Sequence, residues 1–192
     1  MTCIVGIKTK DNVYMGGDTQ GSGNLTGYKF ARPKVFKKNN FLFGVCGSWR
    51  IMQLLEFIWT PPIREINETT DNYLYTKMPN SVRECLKNNG AIKTSDGEDE
   101  MSSCAFLFAF DNRLFTMYSD FCILELVQNY ATTGSGMYHA EASLYSTEGI
   151  IADPKERIRK AIICASSYVL SVNDKIDIVA LNEEKKGKTK SK

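Results

Sequence analysis

The sequence predicts an α+β fold with stacked sheets inside and helices outside, and three observations predict it. Two hairpins of one plan recur, CIVGIKTKDNVYMGGD from Cys3 to Asp18 and CAFLFAFDNRLFTMYSD from Cys104 to Asp120, each with an Asp-Asn pair at its turn. Strands alternate with paired helical stretches joined by short links, the pattern of layered domains. The chain has 192 residues, 43% of them hydrophobic, enough for one domain with a substantial core, so residues 1–184 are read as a single unit.

In the first strand Cys3, Val5 and Ile7 alternate with Ile4, Gly6 and Lys8, the period of extended backbone, and Asp11-Asn12 turns the chain into Val13 to Gly17. Val35 to Lys37 and Phe41 to Cys46 read as two more strands. Gly47-Ser48 then opens a helix with Ile51, Leu54, Leu55 and Ile58 on one face, and Thr60-Pro61-Pro62 stops it because proline lacks the amide donor. A further helix is expected within residues 63–90, followed by an exposed acidic loop, SDGEDE, from Ser95 to Glu100. Ile123 to Thr133 reads as one strand, and Gly134-Ser135-Gly136 leads into a helix near Tyr138 to Tyr145. The last helix is the best signalled. Asp153 caps it, Pro154 suits its first turn, Glu156 holds the capping-box position, and Ile158, Ala161, Ile162, Ala165 and Val169 form an apolar face. Ile176 to Leu181 is the final strand.

Charge and cysteine usage exclude several classes. The formal charge is +2, but the last eight residues, KKGKTKSK, hold five lysines and no acid, so the body is mildly acidic and residues 185–192 read as a solvated tail. That balance argues against nucleic acid as a partner, since phosphate binding draws on clustered Lys and Arg of a folded face. The six cysteines include no CxxC pair, and His139 is the only histidine, so no metal site is expected. No leader-like start and no run of about 18 apolar residues occur, so the expectation is a cytoplasmic protein with reduced thiols and no membrane span.

The residues that carry chemistry begin at the second position. Removal of Met1 would leave Thr2 with a free α-amine of pKa about 8, against about 10.4 for lysine, able to accept a proton near neutral pH. Nucleophile and base would then be one residue. Counted from Thr2, Asp18 is the seventeenth residue and Lys34 the thirty-third, with GVCGS and ATTGSG downstream. Taken singly, Asp18 reads as a turn residue, Lys34 as a surface lysine and Ser135 as a helix cap; the joint spacing is what singles them out.

These stretches, TCIVGIKTKDNVYMGGDTQ, KVFKKNNFLFGVCGS and TTGSGMYHAEASLYS, resemble the proteasome β-subunit and HslV family of N-terminal-nucleophile hydrolases over most of the chain. GGDTQ and GSG lean towards its bacterial HslV branch. The resemblance implies a four-layer αββα sandwich and a threonine peptidase. Thr2 would be the nucleophile, Lys34 the ammonium that lowers the hydroxyl's proton affinity, Asp18 the carboxylate that holds Lys34 charged, and Ser135 the hydroxyl beside the terminal amine. The backbone N–H of Gly47 or Ser48 would face the oxyanion. Substrate would lie along strand edges near Gly21-Ser22 and Gly47-Ser48, with Cys46 either lining the specificity pocket or packing as a buried thiol. The resemblance further implies a homo-oligomeric ring, polypeptide substrates, no cofactor for bond cleavage, and an HslU-like AAA+ unfoldase that spends ATP. One departure stands out. Where the family places an acid shortly before the final strand, this chain offers Ser167, Tyr168 or Val169, and Ser171 is available to replace part of that network. A non-catalytic ring subunit and a solitary amidase of the same superfamily are the alternative readings.

Overall fold

The computed structural model describes residues 2–22, 27–95, 97–102 and 104–182, so the lysine-rich tail lies outside the described residues. Strands β1 (Ile4–Lys8) and β2 (Val13–Asp18) form the first hairpin, followed by a short one from β3 (Gln20–Ser22) and β4 (Gly27–Lys29). Next come β5 (Val35–Lys38) and β6 (Phe41–Cys46), then α1 (Trp49–Gln53) running into a π-helical turn at Leu54–Ile58. Helix α2 (Thr70–Asn72) continues through a second π turn, Tyr73–Lys77, into α3 (Met78–Asn88). Strands β7 (Ile92–Ser95), β8 (Glu98–Met101), β9 (Ala105–Phe110), β10 (Arg113–Met117), β11 (Ile123–Glu125) and β12 (Tyr130–Thr133) precede α4 (Met137–Ser146), α5 (Pro154–Tyr168) and β13 (Ile176–Ala180).

Two antiparallel sheets face each other, one in the order β12-β1-β2-β13, the other β11-β10-β9-β6-β5. The alternation read in β1 sorts its side chains between two cores. Cys3, Val5 and Ile7 pack with Ala140, Leu144, Ile158 and Ala161 beneath α4 and α5, whereas Ile4 packs between the sheets with Met15, Leu42 and Leu107. A third core joins the second sheet to α1, α3 and the π turns through Phe41, Phe43, Phe106 and Phe108 against Leu54, Trp59, Val82 and Leu86. The four layers are therefore helices, sheet, sheet, helices. By the same alternation Thr2 falls on the Ile4 side, towards the second sheet.

The structure departs from the sequence expectations at three places. The helix face expected to include Ile58 breaks, because a π turn sends the Trp59 amide to the Leu54 carbonyl and advances the chain by less than an α-helical step per residue. Ile58 is 55% exposed and Trp59 takes its place in the core. The helix expected within 63–90 is present and begins at Thr70, where the Thr69 hydroxyl accepts from the Asn72 amide. Of the acidic stretch expected to be a loop, Ser95 and Glu98 to Glu100 are paired in the β7–β8 hairpin, with Asp99 held by Arg83 and Lys87, and Asp96 lies outside the described residues. Finally, Ile123 to Thr133 is two strands in different sheets, and the residues between β11 and β12 cross from one sheet to the other.

Candidate active site

Thr2 and Cys3 prolong β1 beyond its last formal pair and are held on both sides. The Asp18 amide donates to the Cys3 carbonyl at 3.3 Å, and the Gly136 amide donates to the Thr2 carbonyl at 3.3 Å. Gly134 makes this approach possible: its φ is +96°, and a Cβ there would stand 2.2 Å from the Thr2 carbonyl oxygen. Thr2 is only 4% exposed and is thus part of the packed structure.

Beside it lies a buried ion pair. Lys34, at the start of β5, donates from Nζ to Asp18 Oδ1 at 2.8 Å and to the Gln20 carbonyl at 2.5 Å. Asp18 is 0% exposed and Lys34 2%. The Asp18 carboxylate also accepts from the Cys3 amide at 2.8 Å and the Gln20 amide at 3.0 Å, so its lone pairs are well used, as a buried charge requires. Burial pushes the Lys34 pKa down and Asp18 partly opposes it. The Cys3 thiol is pushed up to about 12, first by burial and then by the nearby Asp18 charge, so it stays protonated. Nζ also stands 6.0 Å from the Trp49 ring, within reach of a cation–π attraction.

On the opposite side of Thr2 sit two serines. The Thr2 nitrogen donates to Ser135 Oγ at 3.2 Å, and Ser135 Oγ lies 3.3 Å from the Thr2 carbonyl and 3.2 Å from Ser171 Oγ. A hydroxyl has one proton, so when Ser135 donates to the Thr2 carbonyl the Ser171 hydroxyl must be the donor between the two serines. Ser171 is buried, and its loop is anchored by Gln20 Nε2 on the Leu170 carbonyl and by Asn173 on Thr19. Of the positions aligned with the family acid, Ser167 is exposed and bonds back into α5, Tyr168 is exposed and stacks on His139, and Val169 caps the helix end.

Gly47 has φ +89°, a conformation that suits glycine, and leads into α1, where Ser48 Oγ accepts from the Ile51 amide. Burial pushes the Cys104 thiol up to about 12, and its Sγ donates to the Cys46 carbonyl at 3.0 Å. Cys46 donates from Sγ to the Ala105 carbonyl at 3.0 Å and lies 3.4 Å from Thr133 Oγ1. Two spaces adjoin Thr2. An open cleft of about 480 Å³ is bounded by Cys46, Gly47, Ser102, Gly134 and Ser135, and a pocket of about 10 Å³ by Lys34, Val45, Gly47, Trp49 and Met52. Gly21 and Ser22 line neither; they lie in β3, with the Phe30 ring packed on the Gly21 Cα.

The structure thus brings Thr2, Asp18, Lys34, Ser135, Cys46, Gly47 and Ser48 together and leaves Gly21 and Ser22 beside them. Sequence reasoning missed Gln20, whose backbone holds both members of the ion pair although GGDTQ contains it. It also missed Trp49 and Met52, whose three-residue spacing reads as ordinary helix packing. Among the described residues no group of three or more His, Cys, Asp or Glu is placed to hold a metal ion, and no helix is long and apolar enough to cross a membrane.

No protein-family model matches the sequence, and no curated protein does. Solved structures do. BPH of Thiobacillus denitrificans superposes with a TM-score of 0.76 at 13% identity, covering 95% of this chain and 100% of its own. This is the proteasome-like N-terminal-nucleophile hydrolase fold. Eukaryotic HslV from Trypanosoma brucei gives 0.64 at 16% identity, covering 93% of this chain and 98% of its own. Anbu, an ancestral β-subunit, from Yersinia bercovieri gives 0.61 at 15% identity, covering 94% and 81%. The αββα layering is what this fold supplies; at these identities the likeness is one of architecture.

Proposed function

We propose that this chain is a threonine peptidase whose nucleophile is Thr2 after loss of Met1. The observation that carries the reading is the buried Lys34–Asp18 pair abutting a threonine at the start of β1. Burying two charges costs several kcal/mol in desolvation even when, as here, both are hydrogen-bonded, so a buried pair beside a hydroxyl fits a role in stabilising charge there.

In this mechanism Thr2 Oγ1 attacks the scissile carbonyl while its proton passes to the Thr2 α-amine, with Ser135 beside the amine to relay it and Ser171 orienting Ser135. Lys34 favours the developing alkoxide by charge, and Asp18 keeps Lys34 protonated against its own burial. The oxyanion faces the backbone amide of Gly47 or Ser48, both of which border the space beside Thr2; such a donor contributes about 3–4 kcal/mol. The protonated amine hands its proton to the leaving nitrogen, leaving an ester on Oγ1. Water, activated by the same amine, cleaves the ester and restores Thr2. No cofactor takes part.

Thr2→Ala removes nucleophile without disturbing the strand, so cleavage of a fluorogenic peptide is expected to fall by about a thousandfold or more with folding unchanged. Undiminished turnover in that variant overturns the reading. Epoxomicin, which is bound by BPH of Thiobacillus denitrificans, is the matching probe: it is expected to inhibit this chain and to leave the Thr2→Ala variant unlabelled. We also propose a homo-oligomeric ring in the cytoplasm, fed with polypeptide by an AAA+ unfoldase that spends ATP. Size-exclusion chromatography checks the ring, and ATP-dependent degradation of a folded substrate checks the unfoldase.

A further inference from the structure

The two spaces beside Thr2 differ in size and in chemistry, and resting on the peptidase reading they assign the ends of the substrate. The leaving nitrogen must collect its proton from the amine that loss of Met1 leaves on Thr2, and the Thr2 nitrogen donates to Ser135 Oγ. The leaving half therefore occupies the open cleft of about 480 Å³ that Ser135 bounds. The acyl half then lies on the Lys34 side, and the side chain of the residue contributing the scissile carbonyl enters the pocket walled by Lys34, Val45, Trp49 and Met52.

That pocket is almost filled. Its volume, about 10 Å³, is room for a single water-sized group. Behind it lies another hollow of about 230 Å³, walled by Phe30, Ala31 and Arg32, and Trp49 and Met52 belong to the walls of both. Trp49 is wedged in place, with its ring 4.6 Å from that of Phe30 on one side and 6.0 Å from Lys34 Nζ on the other, while Met52 is 2% exposed and packed in the core beneath. The geometry points to Trp49 and Met52 as a partition that restricts the residue before the scissile bond to glycine or alanine, and whose removal joins the pocket to the hollow behind it and admits large apolar side chains.

The test uses the mature full-length chain and four acetylated tetrapeptidyl aminocoumarins that differ only in the last residue: glycine, alanine, leucine or phenylalanine. The wild type is expected to cleave after alanine or glycine with kcat/KM at least about tenfold above leucine and phenylalanine, the scale on which an apolar pocket discriminates size. Trp49→Ala is expected to reverse that order. Because Trp49 adjoins Lys34, the readout is the ratio among peptides within one variant, which a general loss of rate does not move. Met52→Ala, a smaller change on the same wall, is expected to raise the leucine peptide several-fold relative to alanine and carries the test if Trp49→Ala does not fold. Equal or better cleavage after phenylalanine by the wild type, or an unchanged order in whichever of the two variants folds, overturns the partition while leaving the peptidase reading intact. Silence of the wild type towards all four peptides overturns the peptidase reading and the partition with it.

Discussion

The two hairpins share a sequence plan and a place in facing sheets, yet they use the same letters differently. In the β9–β10 hairpin Asp111 and Asn112 are themselves the two-residue loop, with φ of 48° and 58°, the left-handed pair that matches strand twist. In the β1–β2 hairpin the loop is longer, and Asn12 instead pairs through its side chain with the Asn182 backbone and the Val13 amide. The closing aspartates diverge further. Asp120 is exposed and only closes a turn onto the Cys122 amide. Asp18 is buried and holds Lys34, Cys3 and Gln20. The second hairpin shows what the scaffold needs, and the excess found in the first measures what the site adds.

The sharpest way to break this comparison is to neutralise both aspartates. Asp18→Asn leaves Lys34 buried without its counter-charge, so stability is expected to fall by about 3–5 kcal/mol in urea unfolding. Peptide cleavage is expected to fall with it by about a hundredfold or more. Asp120→Asn is expected to change stability by less than about 0.5 kcal/mol and activity not at all. Equal effects would erase the distinction.

A pH profile probes the same pair. The Thr2 amine must be neutral to act as base, so kcat/KM is expected to rise through about pH 8. Lys34 must be charged, and burial places its folded pKa below the ordinary 10.5, so activity is expected to decline again below that pH. Stability runs the opposite way: the contribution of this lysine is present above 10.5 and is lost as pH falls through its depressed folded value, so the loss of activity at high pH is not a loss of fold. An activity plateau extending past 10.5 would contradict the assignment of Lys34.

Smallest of the expected effects is that of Ser171→Ala, which leaves Ser135 with the Thr2 nitrogen and carbonyl as partners. A lost hydrogen bond of about 1 kcal/mol predicts a fall in kcat/KM of about five- to tenfold, read in steady-state cleavage. A loss as large as that of Asp18→Asn would mean that the serine carries the role of the absent acid in full.

What was legible in the sequence follows from the range of the interactions involved. Period-two alternation in β1 and the caps of α5 are local, and they sorted Cys3, Val5 and Ile7 to the helices and Asp153 to the start of α5. The π turn at Leu54–Ile58 leaves no local mark, because its apolar residues fit an α-helical face equally well. The split between β11 and β12 is equally hidden, since strand-forming residues occur on both sides and only pairing with β10 or β1 assigns the sheet. That Thr2, Asp18 and Lys34 come together was legible through their joint spacing. Ser171 could be named as available, but its contact with Ser135 depends on Gln20 and Thr19 anchoring a loop some 150 positions away in the chain.

The account rests on a threonine whose own amine is the base. The direct measurement is mass spectrometry of the first tryptic peptide from protein that is turning over substrate. The expected result is a chain beginning at Thr2, with the extent of Met1 loss tracking activity across preparations. Full cleavage activity in a preparation in which every molecule still carries Met1 would contradict it.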